Sequence, residues 1–184
     1  GSALLRIILL SALGALLVGW MEEAIFRGMV FRMFYTALNP LPAVGLSALV
    51  FAAVHFKGVP AMGSTQHWYA GLEVAALQSV SVFFTADWLP FLNYFLAGLA
   101  LNFCFLRTHS LLACLSLHAG WVLVRNAWGQ AVEIPASNTT RFWGTERIVD
   151  GYASLMLTGI LVLGFYVSWR RKASREARLA EPGP

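Results

Sequence analysis

The chain has 184 residues, of which 58% are hydrophobic and only 12% charged, about half the charged share of an ordinary soluble domain. That composition excludes a water-soluble globular surface and leaves a membrane protein. The formal net charge of +4 is therefore read first as a matter of where the cations fall along the chain.

Gly1-Ser2 opens the sequence without a methionine and looks like a cloning scar, so the expectation is a piece of a longer protein with further helices upstream. Apolar runs long enough to cross a hydrocarbon core of about 30 Å fall at residues 4 to about 21, 41–56, 88–106, 111 to about 128, and 152–169. A sixth, 68–84, carries Glu73 and Gln78 and reads as a span or as a re-entrant or interfacial helix. None shows the alternating, ten-residue pattern of a membrane β-barrel. The expected fold is all-α, a polytopic membrane helix bundle with five or six membrane helices.

The first run ends in Glu22-Glu23-Ala24-Ile25-Phe26-Arg27-Gly28. A charge inside a bilayer costs about 2.5–3.5 kcal/mol on insertion scales, so an acidic pair there needs partners or a function. On a helix Glu23 and Arg27 share a face and can pair, which leaves Glu22, about 100° round, free for chemistry. The alternative places both glutamates at the end of the span, in interfacial water. The second run closes on Phe51 and His55, four residues apart, and the fourth, at 111 to about 128, holds His118 near its middle. Taken singly, each histidine reads as a hydrogen-bonded core residue; together with Glu22 they give three helices with proton-exchanging groups facing one interior.

Asn102 lies in the apolar run 88–106, and Cys104 and Cys114 read as core thiols because they sit in apolar runs and form no CxxC pair. His67 and His109 fall in expected loops and are assigned no role. The loop 129–151 is polar and aromatic, able to shape substrate entry or serve only as a connector, and it carries the sequon Asn138-Thr139-Thr140. Beyond the last run come Arg170, Arg171, Lys172, Arg175 and Arg178. The positive-inside rule places that end in the cytoplasm and accounts for the basic charge without nucleic acid. The expected organisation is one membrane domain over 1–169 and a basic tail over 170–184.

Glu22-Glu23 through Arg27 resembles the EExxxR motif of the CAAX protease and bacteriocin-processing family of intramembrane endopeptidases. Phe51 to His55 resembles its FxxxH motif, and Leu117-His118-Ala119 the start of its HxxxN motif, all in the family's order. The resemblance covers about residues 15–126, with Arg107-Thr108 to Leu112 resembling the family's connecting turn. One position departs: Val122 stands where the family has Asn or Asp. Asn126, two helical turns from His118 and about 12 Å away along the axis, and Asn102, the preferred substitute, are the amides left to replace it.

The resemblance implies cleavage of a peptide bond near the C-terminus of a membrane-anchored or lipidated protein or peptide, in a bacterial inner membrane. Glu22 would be the base for a water nucleophile, His55 would hold that water, and His118 would donate to the oxyanion. Glu23 with Arg27 would fix the helix and the charge of the site. No cofactor is expected. Glu22, His55 and His118 are also a carboxylate and two imidazoles, the donor set of a zinc hydrolase, so zinc remains the alternative. A different class stays open as well, because Val122 suits a non-catalytic membrane scaffold or a proton-coupled transporter built on the same fold.

Overall fold

A computed structural model describes residues 2–55, 88–131, 140–145 and 149–180. Among these the protein is helical: α1 is Ser2–Ile25, followed by a π-helical turn, Phe26–Phe31, and by α2, Arg32–Ala37. Then come α3 (Pro40–His55), α4 (Trp88–Thr108), α5 (Leu111–Ala131), the short α6 (Thr140–Trp143) and α7 (Tyr152–Ala180). The expected run at 68–84, His67 and most of the loop 129–151 lie outside the described residues.

The first element corrects the sequence reading. The apolar run does not stop near residue 21: Ile25 and Arg32, on either side of the π turn, keep right-handed helical angles, so α1 and α2 form one rod. Thirty of its residues, Ile8–Ala37, are apolar enough to cross a membrane, and Glu22 and Glu23 fall at the middle of that span rather than at its end. The interfacial placement considered for the two glutamates is thereby replaced by an interior one.

The rod breaks at Leu38, whose backbone is extended (φ −134°, ψ 166°). Asn39 precedes a proline and is biased away from helix, and Pro40 is suited to start the next one. α3 then runs back antiparallel. Glu22 and His55, 33 positions apart in sequence, stand at equal distances from this turn and so return to the same height.

α4 is the hub, packed on α3 and on α7, while α1 packs on α5. At the α3–α4 crossing a Cβ on Gly98 would stand 2.9 Å from the Ala48 Cα, an approach only glycine allows. The amide of Asn102 donates to the Val44 carbonyl at 3.0 Å and ties the same two helices. Asn93 is buried and donates to the Val149 carbonyl (2.8 Å), while its oxygen accepts from Ser154 (3.2 Å) and Thr158 (3.5 Å), joining α4 to α7. At the other end Arg107 donates to the Ser168 hydroxyl at 2.8 Å. His109, with φ 52°, makes the left-handed turn out of α4, and Ser110 caps α5 through its hydroxyl to the Ala113 N–H.

α7 carries the basic residues of 170–178 within the helix, which continues to Ala180. Among the described residues three helical segments are long and apolar enough to span: Ile8–Ala37, Trp88–Thr108 and Tyr152–Leu179. Leu9, Leu13, Leu16, Leu17 and Trp20 on α1 are all more than half exposed, a surface suited to lipid and not to water. The chain is an integral membrane protein.

Candidate active site

Three helices bring Glu22, Glu23, Arg27, His55 and His118 together. On α1 and the π turn, Arg27 donates to Glu23 Oε1 at 2.9 Å, with both side chains almost fully buried. The same oxygen receives His118 Nδ1 from α5 at 2.7 Å. From α3, His55 Nε2 lies 3.0 Å from Glu22 Oε2, and His118 Nε2 lies 3.5 Å from that oxygen. α1 and α5 approach closely enough for this because Gly19 faces Leu115 and Ala119.

The hydrogen-bond partners fix the protons. His55 Nδ1 is 2.7 Å from the Phe51 carbonyl, which can only accept, so this nitrogen carries a hydrogen. Nε2 of a neutral His55 is then a lone pair aimed at Glu22, and a lone pair facing a carboxylate does not bond. One proton must sit between them, on the Glu22 carboxyl or on the His55 ring. His118 follows the same logic, because its Nδ1 faces a Glu23 carboxylate already held by Arg27, so Nδ1 donates. Its Nε2, aimed into the site, can donate only when the ring is an imidazolium, a charge that the Glu23 carboxylate supports.

Phe51 explains its own spacing to His55. Its ring stacks on His55 (centroids 4.2 Å apart) and lies 4.9 Å from the Arg27 guanidinium carbon, so one aromatic orients the imidazole and covers the cation. Tyr94 also lies against His55, with ring centroids 5.1 Å apart.

Glu22, His55 and His118 open on a cavity of about 700 Å³, also bordered by Tyr94, Trp121 and Val122. Val122, one turn beyond His118, presents an aliphatic wall. Asn126 lines the cavity too, whereas Asn102 does not; it is fully buried at the α3–α4 contact. The structure thus gathers Glu22, Glu23, Arg27, His55 and His118 and leaves Asn102 aside, as a tie between helices. Cys104 and Cys114 are free and buried. Among the polar and aromatic lining residues, Asn93, Tyr94, Trp121, Arg125 and Asp150 escaped the sequence reading. The signal for two of them was present, an amide and a cation inside apolar runs.

Glu22, His55 and His118 are chemically a zinc donor set, but among the described residues no group of three or more such side chains is arranged to hold a metal ion.

In comparison with known proteins, the family model of the type II CAAX prenyl endopeptidase Rce1-like proteins matches residues 4–124. No curated protein and no solved structure matches the chain.

Proposed function

Because the chain belongs to the type II CAAX prenyl endopeptidase Rce1-like family, we propose that it hydrolyses a peptide bond near the C-terminus of a membrane-anchored or lipidated protein by water activation at Glu22. The observation that carries this reading is the convergence of two imidazole Nε2 atoms on Glu22 Oε2, each with its Nδ1 committed elsewhere. Such a site holds a proton that can move without rearranging the protein.

With the Glu22–His55 pair ionised, Glu22 is a carboxylate and His55 an imidazolium that orients it. Glu22 takes a proton from water, and the hydroxide oxygen bonds to the scissile carbonyl carbon. The developing oxyanion is met by Nε2–H of His118, whose positive charge Glu23 supports. Glu22 then returns the proton to the leaving nitrogen as the C–N bond breaks. The carboxylic acid and amine products leave the enzyme as it began. Glu23 and Arg27 do not touch substrate in this scheme; they position His118.

We place the basic end of α7 in the cytoplasm on the strength of Arg170, Arg171, Lys172, Arg175 and Arg178, and the protein in a bacterial inner membrane on the family resemblance alone. The reaction as proposed needs no metal. The test of function is co-expression with tagged membrane proteins from the same genome, comparing wild type with Glu22→Gln by intact mass. A Glu22-dependent loss of C-terminal mass supports the protease. Val122 lining the site where the resembling family carries an amide favours a second reading, a scaffold or proton-coupled transporter. In that case Glu22→Gln leaves every C-terminal mass unchanged while partner binding or proton flux responds.

A further inference from the structure

One cation on the cavity wall has no part in the scheme above. Arg125 borders the same cavity as Glu22, His55 and His118, and it lies seven residues after His118 on α5. Seven residues turn a helix through almost two full rotations, so Arg125 projects on nearly the same face as His118 and about 10.5 Å further along the axis. Val122 lies between them on that face, with Trp121 beside it. Among the described residues Arg125 makes no ion pair. Asp150, the other acid on the wall, has both oxygens engaged by Thr145, at 2.8 Å from its N–H and 2.5 Å from its hydroxyl.

An exposed guanidinium on a cavity wall, paired with no carboxylate among the described residues, can serve as a receptor for one. An extended peptide advances about 3.3–3.6 Å per residue, so about three residues cover the rise from His118 to Arg125. We infer that Arg125 binds the free C-terminal carboxylate of the substrate, so that it sets the distance from the chain end to the bond cut at Glu22, with apolar side chains of the intervening residues against Val122 and Trp121. The inference rests on the protease reading for the identity of the ligand, but not for the existence of the carboxylate site. It also gives Val122 a use: an aliphatic wall for a peptide side chain.

The test is equilibrium binding to the purified full chain in nanodiscs. The probes are one S-prenylated peptide ending in cysteine, two aliphatic residues and serine, made as the free acid and as the C-terminal amide. Wild type should bind the acid at least about tenfold more tightly than the amide, the scale of a lost hydrogen bond to a charged group. Arg125→Ala should bind both forms alike, at the affinity of wild type for the amide, and Arg125→Lys should keep part of the preference. Equal affinity of wild type for the two forms, no affinity for either, or a preference that survives in Arg125→Ala overturns the inference. Hydrolysis of the same peptides is followed in parallel. An acid form that binds through Arg125 and is never cut upholds the carboxylate site and removes the protease reading; cleavage with no acid preference does the reverse.

Discussion

Glu23 Oε1 is shared: it accepts from Arg27 at 2.9 Å within its own helical rod and from His118 at 2.7 Å across 95 positions of sequence. A carboxylate between a permanent cation and an imidazole does two things at once. Arg27 sets a positive charge against Glu23 in an apolar interior, and the shared Glu23 oxygen, as an acceptor, selects the His118 form that carries a proton on Nδ1. The EExxxR spacing is therefore a chain of charge transmission from a buried arginine to a histidine on another helix, and it separates stability from catalysis experimentally.

Arg27→Ala should first be a stability variant. Removing one partner leaves the Glu23 carboxylate buried without its cation, and breaking such a pair costs about 3–5 kcal/mol. Thermal unfolding in detergent should shift down together with purified yield. An Arg27→Ala protein as stable as wild type but inactive would assign the arginine to the reaction itself.

Glu23→Gln should lose stability for the reciprocal reason, because Arg27 is equally buried. It should also lose turnover in the folded fraction by about 10²-fold, the scale of an impaired acid–base group. The double variant Glu23→Gln with Arg27→Met separates the two effects. Replacing both charges by neutral groups should recover most of the melting temperature without recovering turnover. If turnover returns along with stability, His118 does not depend on the Glu23 charge.

Much of this site was legible in the sequence. The costs of Glu22, Glu23, His55 and His118 in apolar runs mark them as partners of one another, and the geometry joins them. What could not be read was height. With the first span ended near residue 21, Glu22 and His55 belong to different membrane depths. The run of Phe26 to Ala37 contains two arginines and a threonine, which makes it look like a loop, yet Arg27 is neutralised by Glu23 inside the π turn and the helix continues. Extending the rod to Ala37 moves the turn and brings the two residues level. Asn102 lies away from the cavity lining for a related reason. A buried amide in a membrane helix satisfies itself on the nearest backbone carbonyl, here Val44, and sequence position does not say which helix supplies it. Tyr94 was not legible at all, since an aromatic in an apolar run carries no mark of function.

Gly98→Ala should damage the site without touching it. The added methyl would stand 2.9 Å from the Ala48 Cα and 3.0 Å from its Cβ, too close to accept unless α3 moves from α4. Overpacking of this kind costs about 1–3 kcal/mol. Because α3 carries His55, its displacement should lengthen the Glu22–His55 contact and lower turnover in folded protein, with peptide affinity less affected. The compensating change Ala48→Gly should restore part of both. Unaltered stability and turnover in Gly98→Ala would mean that the α3–α4 crossing does not fix the site.

The final prediction separates base from metal ligand at Glu22. Glutamine keeps the size of glutamate and its capacity to hydrogen-bond but cannot take a proton. If Glu22 is the base, Glu22→Gln should fold with a near-normal melting temperature, since His55 can still be held, and turnover should fall at least about 10²-fold. If Glu22, His55 and His118 instead hold zinc, the wild-type enzyme should lose turnover in a strong chelator and regain it when zinc is returned, because metal affinity is an equilibrium with free ligands. The two chemistries also differ at His55. As an orienting group beside a base, His55→Gln keeps a donor toward Glu22 and should retain part of the activity; as a metal ligand, its loss should remove zinc and activity together, which metal analysis of the purified variant would register. Turnover that is indifferent to chelation, combined with a folded and inactive Glu22→Gln, supports the proton-transfer site. Chelator-sensitive turnover restored by zinc replaces base, orienting imidazole and oxyanion donor with three ligands.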